Sequence, residues 1–131
     1  MTWSRFWTLA LLPLGLAGCM EGGPGRHTTG GIVEAKVVGE PQSCIPINQI
    51  RESRIRDDMT IDFIGNGKQV WRVSLGTPCP SLKSENKFSY ETSLSQLCST
   101  DIIHVLHDFG GKLERGAGCG LSQFIPVELL K

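Results

Sequence analysis

Four cysteines, Cys44, Cys79, Cys98 and Cys119, together with His104 and His107, are the residues of this chain best able to do chemistry. Thiolates and imidazoles hold zinc when ligands are closely paired along the chain. No Cys-x-x-Cys pair occurs here, and two histidines three apart on a strand are expected on opposite faces. No metal and no cofactor is therefore expected, and the cysteines read as disulfide partners. Three connectivities exist for four cysteines; the one expected here is Cys79 with Cys98 and Cys44 with Cys119, which would join the two ends of the domain. On chain entropy the short loop would contribute about 3 kcal/mol and the long one about 4–5 kcal/mol.

The other polar constellations are weighed the same way. Asp57, Asp58 and Asp62 could serve acid–base or metal chemistry. Asp is also common in turns, and Asp62 is expected on an outer face, paired with Arg72 at the surface. Arg51, Arg54 and Arg56 form the one basic cluster, but Glu52, Asp57 and Asp58 neutralise it, so no nucleic-acid partner is expected. His104 and His107 with Lys112 could make a small ribonuclease-like site, yet nothing in the sequence holds them together. Gly116-Ala117-Gly118-Cys119-Gly120 lacks the strand-to-helix context of a phosphate loop and reads as a tight loop anchored by a disulfide. There is no Gly-x-Ser-x-Gly. No catalytic residue is assigned, and the chain is not expected to be an enzyme. A small hydrolase using Asp57, Asp58 or the His pair is the least favoured alternative.

The disulfide reading needs an oxidising compartment, and the N-terminus supplies one. Arg5 and the free amine precede a charge-free run from Phe6 to Gly18. That run is too short to span a bilayer, which takes about 20 apolar residues, and it reads as a signal-peptide core. It ends in Leu16-Ala17-Gly18-Cys19. These four residues resemble the lipobox of bacterial lipoproteins. The resemblance implies diacylglyceryl attachment at Cys19, cleavage before it, further acylation of the new amine, and a membrane anchor. Two or more acyl chains hold firmly where one does not. Met20, where an Asp would favour the inner membrane, points to the outer membrane facing the periplasm.

Residues 1–18 are thus the expected signal, 19–43 a lipidated Cys and Gly-rich tether, and 44–131 a small domain. The tether holds six glycines, and Glu21–Gly31 has no apolar side chain besides Pro24. His27 sits there as a solvated side chain. Ile32–Val38 alternates and could add an edge strand to the domain, with tether as the equal alternative.

In the domain, Met59, Ile61 and Phe63 alternate with polar residues, as do Trp71, Val73 and Leu75. Gly65-Asn66-Gly67 between them predicts a hairpin. A two-residue Asn-Gly loop would oppose Ile61 to Arg72. A three-residue loop opposes Ile61 to Trp71 and Met59 to Val73, burying one face, and is the register expected. Phe88 and Tyr90 share a face. Ile102–His107 is apolar on both faces, as a central strand would be. Phe109-Gly110-Gly111 predicts a turn, and Phe124–Leu130 a closing strand that Pro126 would confine to an edge. Residues 46–51 predict one helical turn before a strand at 54–56.

The expected fold is mainly β: a small antiparallel sheet or partly open barrel with short helical turns, stapled by two disulfides. A balanced net charge with 40% hydrophobic residues excludes a disordered chain and a strongly basic one.

The segments Cys44-Ile45, Ile50-Arg51, Asp57–Phe63, Cys79-Pro80, Leu97–Ile103 and Cys119–Phe124 resemble an uncharacterised family of small proteobacterial lipoproteins. That resemblance covers residues 44–127 and rests mainly on the spaced cysteines. It implies export, four paired cysteines and no activity, and transfers no catalytic residue. Together these readings predict an envelope lipoprotein, a non-enzymatic binding or structural module for a protein or cell-wall partner. The alternative is a binder of a small ligand or metal in the barrel mouth.

Overall fold

The computed structural model describes residues 32–92 and 94–130; the expected signal, Cys19, His27 and most of the tether lie outside them. Ten strands form three antiparallel sheets with no closed barrel. They are β1 (Ala35–Val37), β2 (Cys44–Pro46), β3 (Glu52–Ile55), β4 (Thr60–Ile64), β5 (Val70–Ser74), β6 (Phe88–Tyr90), β7 (Gln96–Cys98), β8 (Ile102–Phe109), β9 (Lys112–Gly120) and β10 (Ile125–Leu129). A 3-10 turn at Ile47–Gln49 and a short helix α1 (Leu82–Glu85) complete the chain. The largest sheet has the order β1-β10-β5-β4-β3, the second pairs β2 with β7, and the third runs β6-β8-β9.

The odd-numbered face of the β4–β5 hairpin is buried as its alternation predicts: Ile61, Phe63, Trp71, Val73 and Leu75 are all at most 2% exposed. The register differs from the expected one by two residues. Ile61 faces Val73 and Phe63 faces Trp71. The strands stay paired as far as Ile64 and Val70, and the reversal falls at Asn66–Gln69, with Gly67 at φ +61°. A two-residue shift leaves every side chain on its expected face, so alternation alone could not detect it. Gly65 is required by packing, because a Cβ there would come within 2.9 Å of the Trp71 ring.

Against this face lie Ile103 and Val105 of β8, Ile45 of β2, Leu97 of β7, and Leu82, Leu121 and Phe124, all buried. Phe63 meets the edges of Phe124 and Phe88, with centroids 5.7 and 6.2 Å apart. Each fully buried Leu, Ile or Phe contributes about 1.5–3 kcal/mol of transfer free energy.

β8 is the central strand of its sheet, as its two apolar faces predict. β10 is not an edge strand; it lies between β1 and β5. Pro126 is tolerated because its carbonyl accepts from Val38 beyond the end of β1, so the side lacking an N–H faces the strand that is leaving the sheet. Ile32–Val38 does add an edge strand, over Ala35–Val37. The folded unit therefore begins before Cys44, inside the segment expected as tether.

The disulfides join Cys44 to Cys98 and Cys79 to Cys119, which corrects the expected pairing. Cys44 and Cys98 are direct cross-strand partners in the β2–β7 pair. Cys79, fully buried, ties the segment before α1 to β9. The 79–98 pairing fails because Cys98 is already held opposite Cys44 by the ladder.

Candidate functional site

The even-numbered face of the large sheet is not a plain solvent face. Val70 and Val127, cross-strand partners, are 6% and 5% exposed, and Asp62 is fully buried. The cover comes from the chain's own beginning. In register, Val33 would lie about 20 Å along the strands from Arg72, at about 3.3 Å per residue. Instead its carbonyl accepts from Arg72 Nη2 at 2.8 Å. Glu34 keeps the β1–β10 register, its carbonyl accepting from the Leu130 N–H, so it is the curl of the sheet that brings Val33 over this face.

Asp62 and Arg72 are cross-strand partners, as expected, but they are not a surface pair. Asp62 Oδ1 accepts from Arg72 Nε at 2.7 Å, and Oδ2 accepts from Arg72 Nη2 at 2.9 Å and from Arg56 Nε at 2.8 Å. One carboxylate thus serves two guanidinium groups, and the bond to Asp62 raises the Arg72 pKa further above its ordinary range. Arg56 Nη2 is buried and finds no partner among the described residues.

Beside this cluster the face opens into two adjoining clefts that share Arg54, Leu129 and Leu130. One, of about 650 Å³, continues to Arg56 and Val33. The other, of about 540 Å³, continues to Ile64 and Val70. Their size falls in the range of about 300–1,000 Å³ typical of small-molecule sites. The sequence did not mark this place. Its one signal was the Arg54–Arg56 cluster, which was read as neutralised. Arg54 is indeed held by Glu52, at 2.8 Å.

The other candidate residues go elsewhere. Asp57 Oδ1 accepts the Met59 N–H in a local turn. Asp58 Oδ1 accepts the Lys83 N–H at α1. His107 Nδ1 lies 3.1 Å from Glu85 Oε1 and its ring stacks on Phe109. Lys112 stands beside the Gly110-Gly111 turn, opposite Phe109. No hydrogen bond joins Asp57, Asp58, His104, His107 and Lys112 to one another among the described residues. Arg51 bonds to Asn66, away from Arg54 and Arg56.

The two histidines lie on opposite faces of β8, as their spacing predicts: β8 keeps its alternation, with Ile103 and Val105 buried and His104 between them. Gly116 and Gly118 are two apart on β9; a Cβ on Gly116 would fall 2.3 Å from His107 Nε2, and one on Gly118 3.0 Å from His104 Cε1. Between the pairs His104–Gly118 and Leu106–Arg115, β8 advances two residues and β9 three, so β9 carries one extra residue opposite Val105. That bulge breaks the alternation of β9, so Gly116 meets His107 and Gly118 meets His104 on different faces. The Gly116–Gly120 stretch is thus a strand, not a loop, and its glycines make room for the rings. Among the described residues no group of three or more His, Cys, Asp and Glu is placed to hold a metal. The Gly116→Ala variant is expected to lose about 1–3 kcal/mol by overpacking. Combining it with His107→Ala should restore most of that, as urea titrations of the four-member cycle would show.

No family model, curated protein or solved structure matches this chain.

Proposed function

We propose that this protein is a lipid-anchored lipoprotein of the cell envelope that works as a non-enzymatic binding module. The address rests on the ordered series of Arg5, the uncharged run and Leu16-Ala17-Gly18-Cys19. The observation that carries binding is the open cleft beside the Asp62 cluster, which lies under Val33, close to where the expected tether joins the fold. Asp57 accepts in a local turn, Asp58 accepts at α1 and His107 meets Glu85. Two disulfides suit an oxidising envelope, where a domain this small gains from covalent staples.

The test is the intact mass of the protein extracted in detergent from its native membrane, with thiols alkylated before and after reduction. The expected mass begins at Cys19 and carries acyl groups, with four cysteines alkylated only after reduction. An unlipidated mass, or four cysteines alkylated at once, would overturn the anchor or the staples respectively.

A further inference from the structure

We propose that the cleft over the even-numbered face takes a single-chain anionic amphiphile, its apolar chain lying along Ile64, Val70 and Leu129 and its head group on Arg56. This rests on the reading of the protein as a binding module and names the class of ligand. Three observations carry it. The two adjoining clefts share Leu129 and Leu130, and one of them adds Ile64 and Val70, which gives a run of apolar side chains beside the charged ones. The other cleft reaches Arg56, whose Nη2 is buried without an acceptor among the described residues. Asp62 does not supply that acceptor: its oxygens accept from Arg72 Nε and Nη2 and from Arg56 Nε, and none of these bonds reaches Arg56 Nη2.

An apolar run through Ile64, Val70, Leu129 and Leu130, beside a guanidinium with an unmet donor, offers both contacts that an amphiphile needs. The rim carries Glu34 and Glu128 as well as Arg54 and Lys68. The rim is therefore balanced in sign, and the preference for an anion arises at Arg56, through a charge-assisted bond from Nη2. A carboxylate and a phosphate monoanion or diester present the same acceptor oxygens. A free fatty acid and an anionic lysophospholipid thus share the required chemistry.

The test uses the full chain carrying Cys19→Ser and a palmitate bearing a photoreactive diazirine, with adducts mapped by peptide mass spectrometry. Adducts are expected at Ile64–Val70 and Val127–Leu130, and unlabelled palmitate should compete them away. Hexadecanol, the same chain without the charge, should compete about tenfold less well, as loss of one charge-assisted bond predicts. Palmitate must compete in every case; stronger competition by lysophosphatidylglycerol identifies a lipid head group, and weaker or no competition by it a free acid, and either supports the proposal. Arg56→Gln should weaken labelling about tenfold while the near-ultraviolet circular dichroism is kept. If that variant unfolds, the comparison of palmitate with hexadecanol on the unsubstituted cleft still decides. Adducts confined to residues 1–18, adducts scattered over the surface, or equal competition by hexadecanol would overturn the proposal. The mass measurement on native protein would stand apart from any of these results.

Discussion

Replacing Asp62 with Ala is expected to cost about 3–5 kcal/mol, the range for removing one partner from a buried ionic cluster. The reason is the count of charges. Asp62 is fully buried and is the common acceptor for Arg56 and Arg72, whose side chains are 12% and 18% exposed. With the carboxylate gone, two guanidinium groups remain side by side in a poorly solvated place. Arg72 keeps the Val33 carbonyl, but Arg56 loses its one recorded acceptor. Asp62→Asn keeps the shape and one acceptor oxygen, so it should fall between wild type and Ala. Guanidinium chloride unfolding followed at Trp71 would measure both. A loss below about 1 kcal/mol for Ala would mean that the cluster is solvated in solution and behaves as a surface pair.

Removing the Cys79–Cys119 disulfide, as the double Ser variant, is expected to cost about 4 kcal/mol from the entropy of a loop with a sequence separation of 40. Cys79 is fully buried, so two hydroxyl groups placed there add a desolvation penalty that a double Ala variant avoids. The pair of variants separates the two effects. The cross-strand Cys44–Cys98 bond closes a separation of 54, for a comparable entropic value. Its loss differs in location: the β2–β7 pair is a two-stranded sheet of three residues each, held besides by the burial of Ile45 and Leu97. Amide exchange should then rise in that pair while the large sheet stays protected. Global unfolding in both variants would instead mean that the domain is one cooperative unit.

Much of the architecture was legible because local patterns and tertiary burial agree. Met59–Phe63 and Trp71–Leu75 alternate strongly, and the burial of Ile61, Phe63, Trp71 and Val73 follows. What escaped was decided by contacts distant in sequence. The hairpin register could shift by two residues without exposing an apolar side chain. The disulfide pairing depended on which strand faces β2, a matter of topology. The extra residue of β9 opposite Val105, and the room that Gly116 and Gly118 give the two imidazoles, could be seen only once that stretch is known to be a strand. The setting of Asp62 depends on Val33, 29 positions away in the chain, reaching Arg72 across the curled sheet. The cleft joins residues of β3 and β10 from the same curvature, so no local motif announced it.

That arrangement also sets an order of events during synthesis. β1 is made first among the strands and β10 last, yet they are neighbours in one sheet. Until Ile125–Leu129 has emerged, β1 has no partner at all and β5 has a bare edge. Contacts of such long range close slowly, because the intervening chain must be gathered first. A nascent chain of this protein is therefore held short of its final sheet until Leu129 is free, a delay that would suit the export proposed above.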